Sequence, residues 1–319
     1  MRYKWNYQDD LEEYTDDQPQ PVKQPRPKKA TREQVVSTLI ETGDDTRQGF
    51  NPSFGSKSAD KYNVSRHERA WISQYFSGFY EDKQLIDVIK PVKGGKEATV
   101  YCCLAGPSLG VELVAAKLYR PRIFRNLRND SLYRMGRDMV DESGKSSFKR
   151  REGLAIAKGT RFGRDLRQLA WANHEVAMLE RLYAAGGNVP RTYASTDHAI
   201  LMDYYGTADM AASTLAGTTL RSKEARPLFD LIVHNIEIML ENKIIHGDLS
   251  AHNILYWEGN IQLIDFPQAV DPYVNPYAYG IYVRDVTRVC QYFERYGIKR
   301  DPEKLAADIW SKHVMLVEH

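Results

Sequence analysis

Cysteine is scarce: three residues in 319, Cys102, Cys103 and Cys290. An odd number with no C-x-x-C or Cys/His spacing argues against a disulfide framework and against a zinc site. It fits reduced thiols in a cytoplasmic compartment. Long apolar runs are also missing. No stretch of 18 apolar residues occurs and the N-terminus has no apolar signal core, so the expectation is a soluble chain with no membrane partner. Charge of one sign is lacking too. With 44 Lys and Arg against 42 Asp and Glu, the net charge of +2 names no partner by itself. What is present is 42% hydrophobic residues, enough for a real core, in a length that suits two modest domains or one bilobal unit.

Residues 1–64 read as a mostly disordered extension. An acidic cluster (Asp9, Asp10, Glu12, Glu13, Asp16, Asp17) gives way to a Pro-rich basic stretch at 18–29, and only a short helix near 31–42 is suggested. From Ser65 the pattern changes. His67 to Tyr80 carries apolar residues at helical spacing. Strands follow at 85–92, 99–104 and 111–119, with Lys93-Gly94-Gly95-Lys96-Glu97-Ala98 as the turn between the first two. Gly94 and Gly95 would let backbone N–H groups approach phosphates, although the full G-x-G-x-x-G is missing and any Gly-Gly between strands makes a hairpin. Lys117 ends the third strand in Val-Ala-Ala-Lys, where a nucleotide-binding lysine belongs.

Between Arg120 and Arg167 stand fourteen Lys and Arg against six Asp and Glu, with aromatic residues interleaved. This segment reads equally as a solvated insertion or as a basic flap able to touch RNA, acidic protein or a triphosphate. A strong helix then runs over 166–183. Its Glu175 is the expected ion-pair partner for Lys117, with Glu180 the competing carboxylate on the same helix. Ala199 to Gly206 looks like a buried strand entering a connector at 202–206, a natural hinge for a base to meet backbone groups. Further helices are predicted over 224–243, 281–296 and 302–316.

The chemistry is concentrated at His246-Gly-Asp-Leu-Ser-Ala-His-Asn253, followed by Ile264-Asp265-Phe266. Two β-prone runs, 253–257 and 261–265, flank Glu258-Gly259-Asn260, a hairpin signal. A turn centred on Gly259 would place Asn253 directly opposite Asp265, with Cβ atoms about 4.5–5.5 Å apart. An amide oxygen and a carboxylate facing one point make a hard-oxygen site for Mg²⁺ bridging nucleotide phosphates, and Asp248 would accept a hydroxyl proton or orient a nucleophile. Polar hairpin ends are common, but the whole constellation points to phosphoryl transfer. No Asp-Phe-Gly or Ala-Pro-Glu follows.

These residues resemble the RIO family of atypical protein kinases over about 66–300. The likeness is carried by Gly95-Lys-Glu-Ala-Thr-Val-Tyr101, Ala115-Ala-Lys117-Leu-Tyr, Trp171-Ala-Asn-His-Glu175, Met202-Asp-Tyr-Tyr-Gly206, the Asp248 loop and Ile264-Asp-Phe-Pro-Gln268. The glycine loop is similar to one branch of that family and the Asp-Phe-Pro-Gln end to another. The resemblance implies an α+β, bilobal protein-kinase-like fold, truncated and without the peptide-docking segment. Its N-lobe would cover 65–201, the hinge 202–206 and the C-lobe 207–319.

It also implies ATP with Mg²⁺, Mn²⁺ being an alternative, held by Asn253 and Asp265. Asp248 would be catalytic and Asp265 a second catalytic group able to accept phosphate. Nucleotide contacts would come from Gly94, Gly95, Lys96, Glu97, Ala98, Lys117, Glu175, Met202, Asp203 and Tyr205. The expected partners are a protein substrate or the chain itself, and ribosomal RNA or a pre-ribosome through 120–167. Two other readings stay open: a small-molecule kinase of the aminoglycoside or choline type, and an ATP-gated ribonucleoprotein assembly factor with little kinase activity.

Overall fold

The computed structural model describes residues 50, 52–53, 66–95, 98–119 and 161–314. Lys96, Glu97, most of the 1–64 extension and the basic segment 120–160 lie outside the described residues. In chain order the elements are α1 (Arg66–Glu81), β1 (Leu85–Gly94), β2 (Ala98–Ala105), β3 (Leu113–Tyr119), α2 (Arg161–Ala184), β4 (Thr192–Ser195) and β5 (Ala199–Asp203). These are followed by β6 (Ser213–Thr214), α3 (Ser222–Glu241), β7 (Ile254–Trp257), β8 (Asn260–Leu263), α4 (Ala278–Glu294) and α5 (Pro302–His313). The short strands β4 and β6 lack enough alternation to be seen in the sequence, and β3 begins at Leu113 rather than Val111.

The first five strands form one antiparallel sheet in the order β1-β2-β3-β5-β4, the N-lobe sheet of a kinase-like fold. A three-stranded sheet, β6-β7-β8, lies in the C-lobe. β3 is the central strand and is buried almost throughout. Because strand side chains alternate, it serves two cores at once. Val114, Ala116 and Leu118 join Phe76, Phe79, Tyr101 and Leu201 under α1. Ala115 and Tyr119 face the other way, into the cluster that continues through α2, α3 and α4. The C-lobe helices are amphipathic and bury one stripe each, as with Leu228, Ile232, Ile236 and Met239 of α3. Asp301 caps α5 by accepting from Glu303 N and Lys304 N, with Pro302 at the first helical position.

Phe50, within the span expected to be an extension, is buried in the cluster under α1 and stacks on Tyr80 with ring centroids 5.0 Å apart. Ser53 N donates to Asp87 Oδ1 at 2.8 Å, tying the same stretch to β1. Among the described residues, no helix is long and apolar enough to cross a membrane.

Phe50→Ala should therefore lower the unfolding free energy by about 3 kcal/mol, measured by urea titration. An unchanged midpoint would show that this stretch adds nothing to the N-lobe core.

Candidate active site

Lys117 occupies the β3 face opposite α1. Its Nζ donates to Glu175 Oε1 at 2.6 Å and Oε2 at 2.8 Å, and to Asp265 Oδ1 at 2.9 Å. Lys117 and Glu175 are 6% and 1% exposed, whereas the Asp265 side chain keeps 43% of its surface. Burial disfavours the ammonium, yet the carboxylates of Asp265 and Glu175 outweigh it and hold the Lys117 pKa well above its usual value. Burial likewise works against the Asp265 carboxylate, and Lys117 overcomes it, keeping that pKa below normal. The Tyr119 hydroxyl donates to Glu175 Oε2, so the carboxylate is held from two sides. Glu180 is exposed. Five residues on from Glu175, it lies about 140° away around the helix. His174 Nε2 lies 3.0 Å from Ala269 O, linking α2 to the segment after Asp265.

Asp248 sits in the loop between α3 and β7. Asn253 Nδ2 donates to its backbone oxygen at 2.9 Å and to Oδ2 at 3.2 Å. Arg288 Nη1 donates to Oδ1 at 2.7 Å. His246 is buried against Phe266, with ring centroids 4.5 Å apart. Burial holds its pKa below the usual value, against the pull of Asp265. With Nδ1 facing the Asp248 N–H at 3.3 Å and Nε2 3.1 Å from Ile264 O, the neutral Nε2–H tautomer satisfies both contacts.

One helix turn of α4 grips this loop. Asp285 Oδ2 accepts from Gly247 N at 2.8 Å, and Arg284 Nη2 donates to Gly247 O. Gly247 has φ +81°, and a Cβ there would lie 2.2 Å from Gln268 O. No other residue can bring the loop this close to the segment after Asp265. The sequence showed Arg284-Asp285 on a helix, but only the fold aims them at Gly247. Arg288 carried no motif at all.

The hairpin corrects one expectation. Ile254 pairs with Leu263 and Trp257 with Asn260, so the turn is the two-residue Glu258-Gly259, not a loop centred on Gly259. Both turn residues have positive φ, 50° and 85°, the signature of a type I′ turn. Asn253 therefore stands opposite Ile264, whose N–H donates to Asn253 O at 3.0 Å, and Asp265 falls one residue beyond the pairing. The Asp265 backbone turns back at φ +74°, a left-handed conformation costing about 1 kcal/mol for a side chain that tolerates it. That turn aims the carboxylate at Lys117.

A cleft of about 390 Å³ lies against these residues. Its lining includes Ala98, Val100, Ala115 and Met202 on the sheet side, Leu255 and Ile264 opposite, and Lys117, Glu175, Asp248 and Asp265 at the polar end. Of the expected glycines, Gly95 lines the cleft and Gly94 does not. Neither has positive φ, and the Gly95 N–H already donates to Ala98 O at 2.8 Å within the hairpin. Met202, Asp203 and Tyr205 all border the cleft, as does Tyr204, which had not been singled out. The Asp203 carboxylate is occupied elsewhere, accepting from Arg191 N at 3.0 Å and Tyr193 OH at 2.7 Å. The Asp203 side chain therefore braces β4, and its backbone N–H is likewise committed, donating to Arg191 O at 2.9 Å.

The donor set fits Mg²⁺. The Asn253 amide nitrogen is engaged by Asp248, which turns its carbonyl oxygen away from that residue, and Asp265 Oδ2 is not bonded to Lys117. Two hard oxygens completed by nucleotide phosphates suit Mg²⁺, which keeps few protein ligands. Among the described residues no group of three or more His, Cys, Asp or Glu could hold a metal alone.

The two lobes, the central-strand lysine with its helix carboxylate and the loop aspartate define a protein-kinase-like phosphotransferase. A family model, the RIO domain, matches residues 139–305, more than half of the chain. This protein belongs to the RIO family. It is 28% identical over 254 residues to "RIO-type serine/threonine-protein kinase Rio1" of Haloferax volcanii, covering 78% of each chain. It is 30% identical over 130 residues to "Serine/threonine-protein kinase RIO3" of Homo sapiens, covering 40% of this chain and 25% of that relative. The structure of "the Rio2 kinase-ADP/Mg2+-phosphoaspartate complex from Chaetomium thermophilum" matches with a TM-score of 0.52 at 17% identity. That match covers 85% of this chain and 84% of the other.

Asp285 gives the site a pH signature. Burial pushes its pKa from 3.8 up to about 7, against the pull of Arg284, whose Nη2 lies 3.6 Å from Oδ1. The folded state thus binds this proton more tightly than the unfolded chain, so the stability due to Asp285 falls as pH rises from about 4 to about 7. Asp285→Asn keeps an acceptor for the Gly247 N–H and removes that slope. Relative to wild type, it should gain about 2–3 kcal/mol between pH 5 and pH 7.5 in urea unfolding; parallel stability curves would refute the assignment.

Proposed function

We propose that this chain binds ATP with Mg²⁺ in the cleft and transfers the γ-phosphoryl group to a serine or threonine hydroxyl, on itself or on another protein. The observation that carries the reading is Lys117, which bridges Glu175 and Asp265 beside Asp248. The apolar walls, Ala98, Val100, Ala115, Met202 and Leu255, suit a base. Lys117 neutralises phosphate charge. Asp248 orients the hydroxyl and takes its proton as the new P–O bond forms and the bond to ADP breaks. Magnesium, when bound through Asn253 and Asp265, would screen the β- and γ-phosphate oxygens.

A second reading concerns Asp265. Its carboxylate is exposed to the cleft while held by Lys117, which suits attack on the γ-phosphorus to give an acyl phosphate and ADP. The phosphoaspartate named for the Chaetomium structure is a property of that protein; here it motivates the assay. The role in ribosomal small-subunit maturation, through RNA contact by 120–167, rests on the family and on local charge.

Incubation with γ-labelled ATP and Mg²⁺ separates these readings. Label on Ser or Thr supports the kinase reading, and hydroxylamine-labile label lost in Asp265→Asn supports the acyl phosphate. Label on an aminoglycoside or choline overturns both. Asp248→Asn should slow transfer at least about a hundredfold with ATP affinity changed only a few-fold. For the RNA contact, neutralising the arginines of 120–137 should flatten the salt dependence of binding; no binding at low salt removes that idea.

A further inference from the structure

The loop Asp248-Leu-Ser-Ala-His-Asn253 contains a carboxylate but neither lysine nor arginine. A phosphoryl group transferred beside Asp248 brings negative charge towards that carboxylate, and electrostatic stabilisation is the main task of such a site. The cation that stands there comes from α4. Arg288 Nη1 lies 2.7 Å from Asp248 Oδ1, and the two side chains keep 38% and 42% of their surface. Asn253 holds the other carboxylate oxygen. Arg284 and Asp285, one turn earlier, hold the carbonyl and amide of Gly247. Those two contacts close on backbone. The third reaches the carboxylate assigned to the chemistry.

An ion pair this exposed adds only about 0–1 kcal/mol to stability, so folding gives little reason for it. Arg288 is also not among the residues that line the cleft. We propose that Arg288 is a positioning residue for phosphoryl transfer. It fixes the Asp248 carboxylate against Asn253 and supplies, from α4, the positive charge that the loop lacks. It therefore acts on the chemical step and leaves nucleotide binding unchanged. The inference rests on the proposed role of Asp248.

The test uses the full chain with labelled ATP and compares wild type, Asp248→Asn, Arg288→Gln, Arg288→Lys and Arg288→Ala. Arg288→Gln should lower kcat roughly ten- to a hundredfold with KM for ATP within about twofold. Arg288→Lys should recover part of the loss. Millimolar guanidinium should raise the turnover of Arg288→Ala and not of wild type. Melting temperatures should stay within about 2 °C of wild type. Arg288→Gln at wild-type kcat, with Asp248→Asn inactive, overturns the inference and leaves the proposed function standing. So does a loss that neither lysine nor guanidinium restores and that follows a lowered melting temperature. Equal turnover by wild type and Asp248→Asn overturns the proposed function and the inference together.

Discussion

Everything in this fold is arranged around one buried ammonium. Desolvating Lys117 costs several kcal/mol unless opposite charges surround it, and Glu175 and Asp265 are those charges. The three residues come from β3, from α2 and from the segment after β8, which are far apart in sequence. Satisfying one charge thus requires the N-lobe sheet, its helix and the C-lobe hairpin to meet. The same requirement makes the cleft polar at one end and apolar along its walls.

A second constraint works through the backbone. Gly247 approaches Gln268 so closely that a side chain would collide, and its amide and carbonyl are both taken by α4. The Asp248 loop is therefore clamped between the segment after Asp265 and a C-lobe helix. His246 adds a third tie through Ile264, and its burial as a neutral ring keeps further charge out of the core. A carboxylate that must meet a substrate to within a fraction of an ångström needs a support of this kind. Asp285, whose pKa burial raises to about 7, is part of that support, which couples loop geometry to pH.

Much of the site was legible because its chemistry is local in sequence. Asp248 and Asn253 are five residues apart, and Lys117 sits in an alternating strand whose two faces can be read directly. Glu175 was separable from Glu180 only as a choice between two carboxylates; burial against β3 makes the choice. The register of the β7–β8 hairpin was misread by one residue because Glu-Gly supports a two-residue turn as readily as a longer loop. That slip moved Asp265 out of the ladder, and its positive φ then re-aimed it at Lys117. The glycine loop was read either as an ordinary hairpin or as a place for backbone N–H groups to approach phosphates; the Gly95 amide is committed to its own hairpin, and Lys96 and Glu97 lie outside the described residues.

The sequence by itself determined the kinase-like order of elements, the alternation of β3 and the candidates for the reacting side chains. Each follows from spacing within a helix, a strand or a loop. Tertiary structure alone decided which distant charges meet: Asp265 on Lys117, Arg288 on Asp248 and Asp285 on Gly247. The physical reason is that a charge and its partner need not be neighbours in the chain. They must share a low-dielectric space, and only the packed fold defines where that space lies.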